Sequence, residues 1–427
     1  MIKIAPFEGI RYNVRDASRL ICPPYDIISR RDKRKLLALD KNNFVSVELP
    51  SETYSFYGKS RLYNLAKYKF LSMLKNGTLT RDKKSFYLYE QRFKYGGKTF
   101  TRLGLLAAVR LLENPSVKTA RHNILPHEKI LKKPASERKF FLKKLRAQTS
   151  AVFFISNSPA AARLLLEAKK YSTLIWRAKT KDAVSHTLRR IDGNSREASR
   201  LINFFNKKNK KLLIADGHHR YNVAWQYSRL NKKKANLKRK SDLPSDYVLG
   251  YISPPSVGKK NTLLVLPTHR ITEIPEDITR RIEKNFRQVS RNDYLKYLAS
   301  GGYKSGRLPQ PIVARFNKKN LYLIPRKIYS SAGRKKNGKA VLYLENLAPR
   351  IASLTILKGI PPEKISYTHS DEEAIKKADG ERKLALIFPE PALKSVFEIS
   401  AAGGVMPQKS TYFYPKVYAG IAVYPLF

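Results

Sequence analysis

The residues best suited to chemistry lie in KLLIADGHHRY, residues 211–221, where an apolar run ends in Asp216-Gly217 and His218, His219 and Arg220 follow at once. The pattern predicts a strand, a tight turn and a helix start. Gly217 lets a ligand or a second chain segment approach closely. A helix start presents free N–H donors and the positive end of the peptide dipole, a site for anions. Arg220 adds a fork of donors that matches phosphate oxygens. His218 and His219 can carry protons near neutral pH. Adjacent helical residues point about 100° apart, so one histidine is expected to face a ligand and the other the protein. Asp216 can cap the helix or act as a base. It is the only carboxylate between Glu197 and Asp242, an interval that holds thirteen Lys and Arg residues.

Other stretches offer partners. His127 and Glu128 stand together in LPHEKIL and can serve as acid and base. His269 and Arg270 end the apolar run LLVLPTHR, and strand ends in α/β sheets often project functional groups. In MPQKSTYFYPK, residues 406–416, Lys409, Ser410 and Thr411 join a cation to two hydroxyls that can contact phosphate. No glycine-rich loop precedes Lys409, so this is not a Walker motif. Alternation puts Tyr412 and Tyr414 on one face and Phe413 on the other, and rings beside lysines can also stack bases. A metal site is not expected. His122 and His127 miss the i, i+4 zinc spacing, and one cysteine, Cys22, excludes cysteine-based zinc sites and any internal disulfide.

The elements that must position these residues alternate. Ser29 is expected to cap a helix at 30–39, and a helix follows at 60–75. SFYLYEQRF and KTFTRLGLLAAVRLL read as a hairpin around Gly96-Gly97. A basic helix closes the segment after Pro115. AVFFIS, HTLRRIDG and KLLIA read as strands, with helices at 158–170, capped by Ser158, at 195–205, and from His218 on. This alternation is an α/β signature. Farther on, helices are expected at 276–287 and 291–299, a hairpin of PIVARF with NLYLIP, a helix at 344–357 interrupted by Pro349, the strand ALIFPE, and a helix ending at the glycines 403–404. TYFYPKVYAGIAVYP reads as extended chain, and 232–246 as an exposed loop.

At 427 residues and 42% hydrophobic content the chain can bury a large core. No apolar run reaches transmembrane length, and the first residues do not read as a signal peptide. With one cysteine, this points to a cytoplasmic protein without a membrane partner. The net charge of +52 favours anionic partners through long-range fields. The basic residues are spread through the chain and form no terminal tail, so the charge alone names no partner.

CPPYDIIS, GLLAAVRL, HEKIL with ERKFFL, LLIADGHHRY, LLVLPTHR, ISYTH and MPQKSTYFYPK, in that order, resemble the domain-of-unknown-function family one thousand and fifteen. The resemblance runs from about residue 3 to 425 and implies one family-wide unit over 1–427. Within it, an N-terminal α/β part is expected at 1–150, a phosphate-binding part at 151–270 and a C-terminal α/β part at 271–427. Over residues 185–232 the DGHHR turn is also similar to the ParB/sulfiredoxin-like superfamily, which includes a free-serine kinase. The fold expected is therefore α/β with α+β character: mixed sheets, flanking helices, and a ParB/sulfiredoxin-like subdomain around ADGHHRY.

Together these readings imply binding of a phosphorylated ligand, a nucleotide such as ATP or ADP with Mg²⁺, and phosphoryl transfer involving a small hydroxyl metabolite such as serine. Asp216 or Glu128 would be the base, and His219 or His127 the proton carrier. Gly217, His218, Arg220, Lys409, Ser410, His269 and Arg270 would bind the cofactor. Two readings compete: a non-enzymatic nucleic-acid binder, and a nucleotide sensor without turnover.

Overall fold

The computed structural model describes residues 2–50, 56–111, 123–128, 132–207, 210–234, 242–257, 260–304, 308–326 and 344–427. His122, residues 129–131 of the basic stretch after Pro115, and 235–241 of the expected loop lie outside them.

A nine-stranded mixed sheet carries the first part of the chain. Its strands are β1 (Ile4–Ala5), β2 (Ser85–Tyr95), β3 (Lys98–Arg110), β4 (Ile124–Leu125), β5 (Val152–Ser156), β6 (Thr173–Lys179), β7 (Ser185–Asp192), β8 (Leu212–Asp216) and β9 (Tyr247–Ser253). The order is β4-β8-β5-β9-β3-β2-β7-β6, with β1 on β3. β8 runs parallel to β4 and β9 parallel to β5, and the other pairs are antiparallel. β2 and β3 form the expected hairpin, turning through Gly96 and Gly97, both at positive φ.

The sheet is buried on both faces. Side chains alternate along a strand, so Phe86 and Leu88 enter one core while Tyr87 and Tyr89 enter the other. The first core is covered by the helices Pro159–Lys170, Arg196–Phe205 and His218–Lys234. Helix 196–205 shows why these residues form it. Ser195 accepts from the Ala198 N–H at 3.1 Å, and Ala198, Leu201 and Phe205 make one buried stripe. Ser29 likewise caps Arg30–Leu39, in a reciprocal box with Asp32. Ser158 makes no side-chain cap; Pro159 in the first turn pre-sets that helix instead. The second core is covered from the far end of the chain, by Met406, Phe413, Val417, Tyr418 and Ile421.

A six-stranded sheet gathers β11 (His269–Glu273), β12 (Phe286–Val289), β13 (Ile312–Phe316), β14 (Lys319–Pro325), β15 (Ser366–Thr368) and β16 (Lys383–Ile387) in the order β12-β14-β13-β16-β11-β15. Between the two sheets, β10 (Leu264–Leu266) pairs with β17 (Tyr412–Tyr414). The fold is thus the expected mixed α/β arrangement with flanking helices.

Some boundaries differ from expectation. The helix expected at 276–287 spans Ile278–Asn285, because Phe286 begins β12. Of the helix expected at 344–357, residues 344–345 are helical, 346–347 break it as expected, and a second helix runs Ala348–Leu354 with Pro349 in its first turn, where a missing N–H costs nothing. Only Tyr412–Tyr414 and Tyr424–Pro425 of the last extended stretch are strand. No helix among the described residues is long and apolar enough to cross a membrane.

Candidate functional site

β8 ends at Asp216, and the helix His218–Lys234 starts two residues later. Gly217 joins them at φ +91°, a conformation that side-chain-bearing residues rarely adopt. A Cβ there would also stand 3.0 Å from Arg220 Nε, so glycine makes room for the arginine to fold back under the turn.

Asp216 is gripped on both oxygens. Arg220 Nη2 donates to Oδ2, and Lys416 Nζ donates to Oδ1 at 2.6 Å. Arg220 Nη1 donates to the Ala151 carbonyl. Burial alone would raise the Asp216 pKa, but Lys416 and Arg220 outweigh it and hold the carboxyl well below the usual range. Lys416 reaches this point because a second buried cation holds its segment. Arg102, fully buried, donates to the carbonyls of Pro415 and Tyr414 and to Gln91 Oε1, while Gln91 Nε2 donates to the Lys416 carbonyl at 2.9 Å.

The two histidines differ in burial, although both line one cavity. His218 is buried, and its Nε2 accepts the His127 N–H at 3.2 Å. His219 is half-buried, with an Nδ1 that is buried and has no hydrogen-bond partner. Burial lowers the pKa of both, which keeps them neutral at pH 7.

A cavity of about 450 Å³ opens over this turn. Of the residues singled out in the sequence, Glu128, Asp216, Gly217, His218, His219, Arg220 and Lys409 line it. Burial raises the Glu128 pKa, partly offset by Lys409 and Lys416. Lys409 is exposed and sits at φ +54°, the left-handed region that costs a non-glycine residue strain.

Four expected residues lie behind the wall. His127 is fully buried: Nδ1 donates to the Ile214 carbonyl at 2.7 Å, which leaves Nε2 to accept from the Thr411 hydroxyl at 3.0 Å. Burial pushes its pKa down to about 4. Ser410 Oγ donates to the Pro407 carbonyl at 2.5 Å and shapes the turn that presents Lys409. His269 Nδ1 accepts from the Phe388 N–H at 3.1 Å, and Nε2 donates to Asp371 at 2.7 Å. Arg270 Nη2 donates to the Gln408 carbonyl at 3.0 Å, and burial lowers its pKa to about 10. Of these four, His127, Ser410 and Arg270 hold segments whose residues Thr411, Lys409 and Gln408 line the cavity.

The cavity also takes residues that sequence reasoning did not single out. Tyr25, Asp26 and Ile27 overhang it from the one-turn helix after Pro24, and Thr268, Tyr367 and His369 approach from the six-stranded sheet. Lys416 completes it, beside Thr411 and Tyr412, which the sequence did single out. PPYD, YTH and the second lysine of MPQKSTYFYPK were visible as motifs, but nothing in their spacing ties them to Asp216.

Among the described residues no group of three or more His, Cys, Asp or Glu could hold a metal ion. Charges on the lining nearly balance: Arg220, Lys409 and Lys416 against Asp26, Glu128 and Asp216.

No curated protein matches the chain. Among solved structures, a free serine kinase in complex with AMP is similar at 12% identity and TM-score 0.32, covering 68% of this chain and 83% of that one. SbnI with a C-terminal truncation, from Staphylococcus aureus, is similar at 8% identity and TM-score 0.36, covering 73% and 84%. A conserved hypothetical protein from Pyrococcus furiosus is similar at 10% identity and TM-score 0.31, covering 69% and 89%. The family model described as "Protein of unknown function (DUF1015)" matches residues 4–352. That match takes in the ADGHHRY turn and most of both sheets, and the chain belongs to this family.

Proposed function

We propose that the cavity binds a phosphorylated small molecule, a nucleotide, and moves a phosphoryl group between it and a small hydroxyl compound such as serine. The observation that carries this reading is the convergence, on one cavity, of a helix start with Lys409, Glu128 and His219. The ligands of the solved structures named above do not enter into it.

The first N–H groups of a helix have no partner within the helix. Those of His218, His219 and Arg220 would receive phosphate oxygens, with Lys409 as the mobile cation. Asp216 keeps Arg220 and Lys416 in place, and the three together carry one net positive charge toward the ligand.

Glu128 suits the base. Among the described residues no lysine or arginine ion-pairs its carboxylate, and burial makes it more basic than an ordinary glutamate. It would take the proton of the acceptor hydroxyl as the new O–P bond forms. The bond from phosphorus to the nucleotide's bridging oxygen breaks, and that oxygen leaves with the electron pair. His219, neutral and on the cavity lining, would donate a ring N–H hydrogen bond to the moving phosphoryl group. His127 has both ring nitrogens engaged and orients Thr411. Phosphoryl transfer depends mainly on such positioning and charge neutralisation.

Mg²⁺ would arrive with the nucleotide, held by phosphate oxygens and water with Asp26 as its carboxylate, since Mg²⁺ sites of this kind need only one or two protein ligands. It would neutralise phosphate charge.

Calorimetry with ATP and ADP at low salt with Mg²⁺ tests binding; absence of heat with both overturns the reading. Glu128→Gln is expected to lower phosphoryl transfer at least 100-fold while ADP affinity stays within threefold. In the wild type the rate should rise with pH through the raised Glu128 pKa, and that acid limb should vanish in the variant. Binding without transfer to any hydroxyl acceptor would identify a sensor.

A further inference from the structure

One wall of the cavity is aromatic, and phosphate recognition makes no use of it. His369 lies flat on Tyr412, with ring centroids 4.0 Å apart and planes 3° from parallel. Tyr412 also carries the Lys416 Nζ 4.6 Å from its ring centroid. The stack joins the strand β17, of the two-stranded β10–β17 pair, to the residue just after β15 of the six-stranded sheet. Both rings line the cavity, and His369 is exposed. Tyr367, in β15, lines it too.

Resting on the nucleotide reading above, we propose that His369, backed by Tyr412 and flanked by Tyr367, is the platform on which the ligand's heteroaromatic base stacks. A parallel, preformed ring pair gives such a base a flat apolar surface without ordering new side chains. Burial lowers the His369 pKa, against the opposing pull of Glu373, so the ring is neutral at pH 7 and stacks without a charge to desolvate. Stacking of this kind tolerates any base, so the platform selects for a base over none, and discriminates weakly between adenine and guanine.

The test compares ADP with inorganic tripolyphosphate, each titrated with Mg²⁺ into wild type, His369→Ala and His369→Phe. Stacking predicts that His369→Ala loses roughly tenfold or more in ADP affinity with tripolyphosphate affinity unchanged. His369→Phe should hold ADP within threefold of wild type. Equal losses for both probes, no loss for either, or a Phe variant as weak as the Ala variant would each overturn the platform. Tripolyphosphate binding with no advantage for ADP in the wild type removes the base subsite and leaves the phosphate site standing. Failure of both probes on wild type removes the nucleotide reading itself.

Discussion

His127, His186 and His218 are buried and neutral, and each keeps that state through local bonds. His127 and His218 are described above. His186 accepts or donates at both nitrogens, to Tyr89 OH at 2.6 Å and Thr180 Oγ1 at 2.8 Å, and burial lowers its pKa to about 3. Such groups are depressed in the fold and regain an ordinary pKa near 6.5 on unfolding. Between those values the unfolded chain binds more protons, so stability is lost as pH falls from about 6.5 toward 4. Glu128 acts in the opposite sense, because its raised pKa lets the folded state take a proton early. The lowered histidines outnumber the one raised glutamate, so unfolding near pH 5 takes up protons and stability falls as pH is lowered through that range. Urea unfolding between pH 7 and 4.5 measures this slope, and a slope below one proton would contradict the neutral, buried assignment. Asp216 belongs to a different window. Its pKa is lowered, so its contribution is complete above about pH 4 and is lost only as pH falls through the depressed value.

At the scale of elements, the strand–turn–helix at Asp216 depends on one glycine. Gly217→Ala would force a side chain into φ +91° and against Arg220. Strain of this kind costs about 1–3 kcal/mol, and displacing Arg220 loosens its grip on Asp216. Gly96 is the control: φ is +53° and nothing lies within 4 Å of its would-be Cβ, so alanine there should cost about 1 kcal/mol. Urea midpoints compare the two, and equal losses would mean that crowding at Arg220 contributes nothing. The turn itself was legible in the sequence because every signal in it is local. An apolar run, Asp-Gly and a helix-forming stretch sit within eleven residues, as the hairpin glycines and the caps Ser29 and Ser195 sit beside the elements they close. Pro349 was legible as a break because a helix tolerates proline only in its first turn, so a new helix must begin beside it. Lys416 was not legible as the partner of Asp216. Their union needs Phe413 and Val417 to cover the second face of the sheet and Arg102 to hold the backbone at 415, contacts across hundreds of residues with no local trace. For the same reason the sequence did not show that His127, His269 and Arg270 stand behind the cavity lining.

The whole molecule separates its charge from its cavity. The chain carries +52, yet the cavity lining holds three cations against three carboxylates. A path for a polyanion would be lined by one sign of charge. A nearly balanced cavity suits a small ligand that brings its own phosphates and needs a base nearby. Non-specific nucleic-acid binding should therefore occur on the outer surface and be independent of the cavity. Duplex DNA affinity should fall steeply with salt, by about 10³ or more between 50 and 200 mM if six or more phosphates are neutralised. ADP has few charges to screen, and its affinity should fall far less over the same range. Titrations by fluorescence anisotropy for DNA and calorimetry for ADP, run at matched salt, give both slopes. Glu128→Gln and His369→Ala should leave the DNA curve where it is. Displacement of DNA by saturating ADP, or parallel salt slopes for the two ligands, would mean that one surface serves both. In that case the cavity would be part of a nucleic-acid path, and the balance of charge on its lining would have to be met by the nucleic acid's own counterions.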